Sequence, residues 1–156
     1  MNGDKNEADN ALRPGELGVE LPAMADAGLF FIGTIRTPWR TRGECPKRGS
    51  ADGPICYIEI NERWRAALTD IEQHKRIQVL YWMHEARRDL VLQTPFRTGQ
   101  TTGSFALRSP VRPNPIASSV VDLVVVSGTI LHVRGLDCLD GTPLIDLKPE
   151  RTTTQQ

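Results

Sequence analysis

The sequence predicts an all-β, mainly antiparallel protein, a small β-barrel with one or two short helices. Three observations lead there. Short runs rich in Val, Ile, Leu and Tyr recur along the chain with turn residues between them. Two such runs, residues 119–126 and 129–136, are separated by Ser127-Gly128, which is hairpin chemistry. Only the stretch after Asn61 sets its apolar residues at helical spacing. At 156 residues, 39% hydrophobic and 24% charged, the chain suits a single buried core.

Residues 1–28 are acidic and lack a sustained apolar period, so they are expected as a flexible N-terminal arm. The barrel domain is expected over 29–150, and 151–156 as a frayed tail. The first strand, 29–36, ends at Thr37-Pro38, because proline cannot donate to a ladder. Residues 37–54 hold three prolines and three glycines and form a long loop. Residues 55–60 are the second strand. Asn61 is a candidate N-cap for a short helix whose Trp64, Ala67, Leu68 and Ile71 share one stripe. Residues 76–84 return to strand, with Ile77, Val79, Tyr81 and Met83 on one side. Residues 85–93 are expected as a helical turn. The hairpin follows, then the Asp140-Gly141 turn, then a last strand over 144–148.

Formal net charge is zero, yet it is unevenly placed. Residues 1–28 carry two basic and six acidic groups, 29–112 fourteen and eight, and 113–156 three and five. The basic middle includes Arg36, Arg40, Arg42, Lys47 and Arg48, opposed locally only by Glu44. Such an excess can face an anionic ligand or a polyanion. No apolar run approaches the roughly 20 residues of a membrane span, and residues 1–10 are too polar for a signal peptide. A cytoplasmic protein with free thiols is expected, because Cys45, Cys56 and Cys138 show no disulfide or metal spacing. His74, His84 and His132 do not have ligand spacing either, so no metal is expected. Glycine-rich nucleotide loops and the Gly-x-Ser-x-Gly elbow are absent from the sequence.

Two clusters stand out. In 103–116, Pro110, Pro113 and Pro115 stiffen a loop that carries Arg108, Arg112 and Asn114. An arginine held in place loses less entropy on meeting an anion. In 135–149, Asp137 and Asp140 flank a turn, while Asp146 and Lys148, two apart on a strand, share a face and can pair at a pocket rim. No general base is assignable.

Taken together, these strings resemble the TsaA-like (TrmO) family of tRNA methyltransferases. The similarity runs from Ile32-Gly33-Thr34-Ile35 and Thr37-Pro38-Trp39, through Cys45-Pro46-Lys47-Arg48-Gly49 and residues 79–84, to 103–116 and 135–149. It departs at Lys47-Arg48, Ala117-Ser118 and Glu150, where the family usually has Arg-Gln, Gly-Leu and Tyr; longer bacterial members also carry a further C-terminal domain. The resemblance implies a dimerising antiparallel barrel that binds S-adenosyl-L-methionine and methylates N6 of a threonylcarbamoylated adenosine in tRNA, or a related modified adenosine. By position, cofactor contacts would fall on Pro46, Lys47, Arg48, His84, Glu85, Arg108, Ser118, Asp140, Gly141, Thr142 and Pro143. Arg108 or Arg48 would hold the cofactor carboxylate. Two alternatives stay open: a methyltransferase for a small metabolite, and a non-catalytic module that binds the cofactor or an adenine nucleotide.

Overall fold

Alternation of apolar and polar residues decides the architecture. The computed structural model describes residues 11–151. The strands are β1 (Leu17–Gly18), β2 (Gly33–Arg36), β3 (Cys56–Ile60), β4 (Arg76–Trp82), β5 (Leu90–Gln93), β6 (Thr102–Gly103), β7 (Ile116–Ser127), β8 (Ile130–Arg134) and β9 (Thr142–Pro149). Six of them close a barrel in the order β2-β3-β8-β7-β4-β9, with every pairing antiparallel. The remaining three form a separate sheet, β1-β5-β6. The first ten residues of the expected arm and 152–156 of the expected tail lie outside the described residues.

The chain makes two compact units. One comprises Ala27–His84 with the described part of Ile116–Gln156 and contains the barrel. The other comprises the described part of Met1–Asp26 with Glu85–Pro115 and contains the small sheet.

In the barrel, alternate strand residues turn inward, the alternation being interrupted by irregularities at Leu80/Tyr81 and Leu123/Val125. Ile35, Cys56, Ile58, Ile77, Val79, Leu131, Val133 and Leu144 are fully buried, with Tyr81 and Val121 nearly so. Closure leaves no exposed sheet edge and fixes the register, because a one-residue slip would turn this whole set outward. β2 approaches β3 closely only because residue 33 is glycine: a Cβ there would lie 2.1 Å from the Glu59 carbonyl oxygen.

The hairpin is β7–β8, as the sequence indicates, and the last strand is β9. Two expectations are corrected. The capped helix after Asn61 is a 3₁₀ segment, Glu62–Leu68, followed by a second, Ile71–Gln73. Asn61 makes no side-chain cap; its amide Nδ2 donates instead to the Phe31 carbonyl. The Thr69 hydroxyl closes the segment on the Ala66 carbonyl at 2.8 Å, and Asp70 then turns left-handed at φ 68°. The expected helical turn over 85–93 is also overturned, because Leu90–Gln93 is a strand paired on both sides: Leu90 and Leu92 with Gly18 and Leu17, and Leu92 and Gln93 with Gly103 and Thr102. One of those partners is Leu17–Gly18, so regular pairing begins before Leu29.

In the smaller unit, Gln93 and Ser104 are buried polar groups and fully employed. Gln93 Nε2 donates to Ser104 Oγ and to the Val111 carbonyl, both at 2.7 Å, and Ser104 Oγ donates to the Leu90 carbonyl at 2.8 Å. Buried polar atoms paired in this way hold a small sheet whose apolar core is slight.

Candidate functional site

Strand directions alone gather most of the candidate residues at one rim of the barrel. β4 and β9 are antiparallel, with Tyr81 opposite Leu144 and Ile77 opposite Pro149. The end of β4, where His84 follows, therefore adjoins the start of β9, where residues 140–143 lie. β7 is antiparallel to β4 with Trp82 opposite Ile116 and Leu80 opposite Ser118, which brings Ser118 to that rim. β2 is antiparallel to β9, with Ile35 opposite Thr142. The basic loop that leaves β2, with Pro46, Lys47 and Arg48, thus starts beside the Asp140 turn.

Four hydrogen bonds pin that turn to the loop. The Thr37 N–H donates to Asp140 Oδ1 at 3.1 Å, and the Thr37 hydroxyl donates to the Cys138 carbonyl at 2.8 Å. The Asp140 N–H donates to the Trp39 carbonyl at 2.7 Å, and the Gly141 N–H to the Ile35 carbonyl at 2.8 Å. Gly141 has φ +80°, a region that strains any side chain. The Thr142 hydroxyl donates back to the Leu139 carbonyl at 2.6 Å and is buried. Asp140 thus spends one carboxylate oxygen on the loop and retains acceptor capacity on the other.

The far end of the basic loop is fixed as well. Gly49 lies on the backbone of Gly135, where an added Cβ would come within 1.6 Å of the carbonyl oxygen. Arg134 donates to the Gly53 carbonyl at 3.0 Å. Near the middle, the Glu44 carboxylate accepts the N–H groups of Thr41 and Arg40 at 2.9 and 2.8 Å, and these hold its pKa below the usual carboxylate value. Pro46, Lys47 and Arg48 are exposed on this anchored loop, and His84 and Ser118 are exposed also. Ser118 Oγ accepts from Gln78 Nε2 at 2.8 Å.

Inside the barrel, Tyr81 donates its hydroxyl to Asp137 Oδ1 at 2.9 Å and lies 2.8 Å from Ser119 Oγ. Burial, with the nearby Asp137 charge, pushes the Tyr81 phenol well above its ordinary value. Burial also raises the thiols of Cys56 to about 11 and Cys138 to about 12, so both are protonated at neutral pH and neither is a nucleophile.

The proline-braced loop belongs to the other unit and is more differentiated than its sequence suggests. Arg112 points into its own loop, donating to the carbonyls of Leu107 and Ser109, each at 3.0 Å. Asn114 Oδ1 accepts from Arg88, which also holds the Pro113 carbonyl. Arg112 and Asn114 are braces. Arg108 is exposed and makes no hydrogen bond or ion pair among the described residues, and Glu85 is exposed in the same unit.

Asp146 and Lys148 pair at 2.7 Å, as their spacing predicts. They line a cavity of about 220 Å³ with Ile32, Ile60, Trp64 and Leu68. It sits toward the opposite end of β9 from Asp140: Asp146 is six residue steps along the chain, at most about 20 Å in extended backbone. The rim residues that sequence reasoning missed are Thr37, Gly49 and Gly135; only the strand-ending Thr-Pro step signals the first.

The model of the tRNA-methyltransferase O N-terminal domain family matches residues 34–154. The probable S-adenosyl-L-methionine-binding protein VirR of Rhizobium radiobacter is 52% identical over 144 residues, 92% of this chain and 82% of VirR. The tRNA (adenine(37)-N6)-methyltransferase of Escherichia coli is 33% identical over 130 residues, 76% of this chain and 55% of that protein. The crystal structure of TrmO from Pseudomonas aeruginosa superposes with a TM-score of 0.69 at 28% identity, covering 88% of this chain. The chain spans 60% of the length of that solved TrmO chain.

Proposed function

Because the chain belongs to the tRNA-methyltransferase O N-terminal domain family, we propose that it is an S-adenosylmethionine-dependent methyltransferase whose acceptor is N6 of a threonylcarbamoylated adenosine in tRNA, or of a related modified adenosine. The observation that carries this reading is the rim itself: the Asp140 turn and the loop bearing Lys47 and Arg48 are bonded to each other before any ligand arrives. A preorganised site loses less entropy on binding.

The donor set suits the cofactor. A molecule with a carboxylate, an ammonium and ribose hydroxyls needs cations, an acid and backbone groups at fixed positions. Lys47 and Arg48 supply the cations, Asp140 the acid, and residues 141–143 the backbone. The cofactor supplies an electrophilic methyl group. The chain's part is to align that methyl with the attacking nitrogen, an in-line geometry that requires no covalent enzyme intermediate. Loss of the N6 proton, already acidified by the adjoining carbonyl of the acceptor, requires a nearby acceptor such as a carboxylate. Glu85 and Arg108 are retained as cofactor contacts on the strength of the resemblance, as are His84 and Ser118.

Calorimetry with S-adenosylmethionine, followed by transfer of labelled methyl to tRNA, tests this. The intact chain should bind and transfer, and Asp140→Ala should lose most of both while keeping its far-UV circular dichroism. Absence of binding heat at millimolar cofactor would end the proposal. A second reading is favoured by VirR, whose name records cofactor binding alone and most of whose length this chain covers: the acceptor is a small metabolite, or the module senses the cofactor without catalysis. Label in the small-molecule fraction, or in no fraction of a cell extract, would select between these. The protein is further proposed to act in the cytoplasm as a homodimer. A row across three neighbouring strands, with Tyr57 and Val125 exposed and His132 half-buried between them, supports the dimer.

A further inference from the structure

The smaller unit carries a feature that cofactor binding does not use. The tip joining β5 to β6 is a tight turn in which the N–H groups of Thr98 and Gly99 both donate to the Pro95 carbonyl, with Gly99 at φ +62°. This turn holds Phe96 out into solvent, 87% exposed. Arg13 lies over the ring, its guanidinium carbon 3.8 Å from the ring centroid. That cation is fixed from several sides. Its Nη1 donates to the Thr94 carbonyl at 3.0 Å and its backbone N–H to Glu16 Oε2 at 3.0 Å, while Glu16 Oε1 accepts the Thr94 N–H at 3.1 Å. Next in sequence, Arg97 is exposed and makes no hydrogen bond or ion pair among the described residues. The pattern recurs once in the same unit, where Phe105 is 82% exposed three residues before the exposed Arg108.

A flat ring in water, a guanidinium stacked on it and a second arginine beside it match the chemistry of an unpaired nucleotide. The base takes a π-face and the phosphate takes a guanidinium fork. A lipid surface is less well matched, since Phe96 stands at a turn tip flanked by Arg97 and Thr98 with a guanidinium over its ring, and not on an amphipathic helix. We propose that Phe96, backed by Arg13, is a stacking platform for an unpaired base of an RNA strand, with Arg97 holding a neighbouring phosphate. The proposal rests on the RNA-substrate reading above and adds which surface recognises the strand. The platform is built partly from Arg13, which lies outside the stretch that matches the family model.

The test uses the full chain and an RNA hairpin with 2-aminopurine at successive positions of its unpaired loop, with the same sequence as a duplex for comparison. The hairpin should bind more tightly than the duplex, and one loop position should show quenched fluorescence, the signature of a stacked base. Phe96→Ala should weaken hairpin binding roughly 5- to 150-fold, the range for losing one stacked base, and should abolish that quench. Phe96→Trp should restore both. Phe96→Leu, which keeps apolar bulk without a flat face, should not. Cofactor calorimetry should be the same for all of these chains, since the ring is at the tip of an exposed turn. If the intact chain binds the hairpin and Phe96→Ala binds it equally well, the platform is wrong while the RNA reading survives. If the intact chain binds cofactor but no RNA, both fail together. Phe96-dependent binding to phosphatidylglycerol vesicles, with hairpin binding unaffected by the substitution, would likewise overturn the platform in favour of a membrane contact.

Discussion

Three arginines in 97–112 look equivalent on paper and are not equivalent in the fold. Arg112 is consumed by the carbonyls of Leu107 and Ser109, whereas Arg108 stays exposed. Opposite outcomes follow on substitution. Arg108→Ala should weaken S-adenosylmethionine binding by about 1–3 kcal/mol, the range for losing a hydrogen bond to a charged group, with its melting temperature unchanged. Arg112→Ala should leave two loop carbonyls without their donor and lower stability by about 1–2 kcal/mol, read by urea unfolding. Equal loss of stability in both variants would show that Arg108 is a brace too. The sequence displays the prolines that stiffen this loop but not which guanidinium folds back on it, because that depends on where the Leu107 and Ser109 carbonyls point. Asp140 was legible as a turn acid for a related reason: Asp-Gly is local chemistry. Its bond to the Thr37 N–H, 103 positions away, was not.

At the scale of elements, the barrel strands were readable wherever apolar residues alternate over four or more positions, as in β4 and β9. The two-residue strands β1 and β6 carry no such signal, and β5 is recognisable only by the company it keeps. The small sheet also differs from the barrel in what holds it. The side-chain hydrogen bond from Arg87 holds the Asp89 carboxyl below its ordinary value. Burial raises the Glu16 carboxyl, but the backbone N–H groups of Arg13 and Thr94 outweigh it, and the net shift is downward. Each group therefore binds protons more weakly folded than unfolded. Each stabilises the sheet above the unfolded carboxylate value near 4, and that contribution disappears as pH falls through the lower folded value. Amides of β5 should lose hydrogen-exchange protection below about pH 4, ahead of those in β3, β4 and β8. Asp89→Asn should reproduce part of that loss at neutral pH. Simultaneous loss in sheet and barrel would show that these carboxylates are not what sets the sheet's acid sensitivity.

For the whole molecule, the barrel explains why a chain spanning 60% of a solved TrmO chain can hold its rim together: every bond that pins the Asp140 turn and the basic loop is made inside the barrel unit. The inward-facing strand residues are spent on the core, which leaves the outer wall as a surface open to association. There Tyr57, His132 and Val125 pair across β3, β8 and β7, with the Tyr57 and His132 rings packed edge to face at 4.9 Å and the Tyr57 and Val125 side chains left in solvent. Exposed apolar groups arranged in a row across neighbouring strands are what a second copy can cover. Sedimentation of the intact chain should give a dimer, and Val125→Asp should give a monomer, because a carboxylate placed in such an interface would be desolvated without a partner. The substitution sits on the outside of a closed barrel, so circular dichroism and the melting curve at low protein concentration should not change. A monomeric intact chain, or a Val125→Asp dimer as tight as the parent, would remove this wall from the assembly and leave the rim to be completed, if at all, by some other surface.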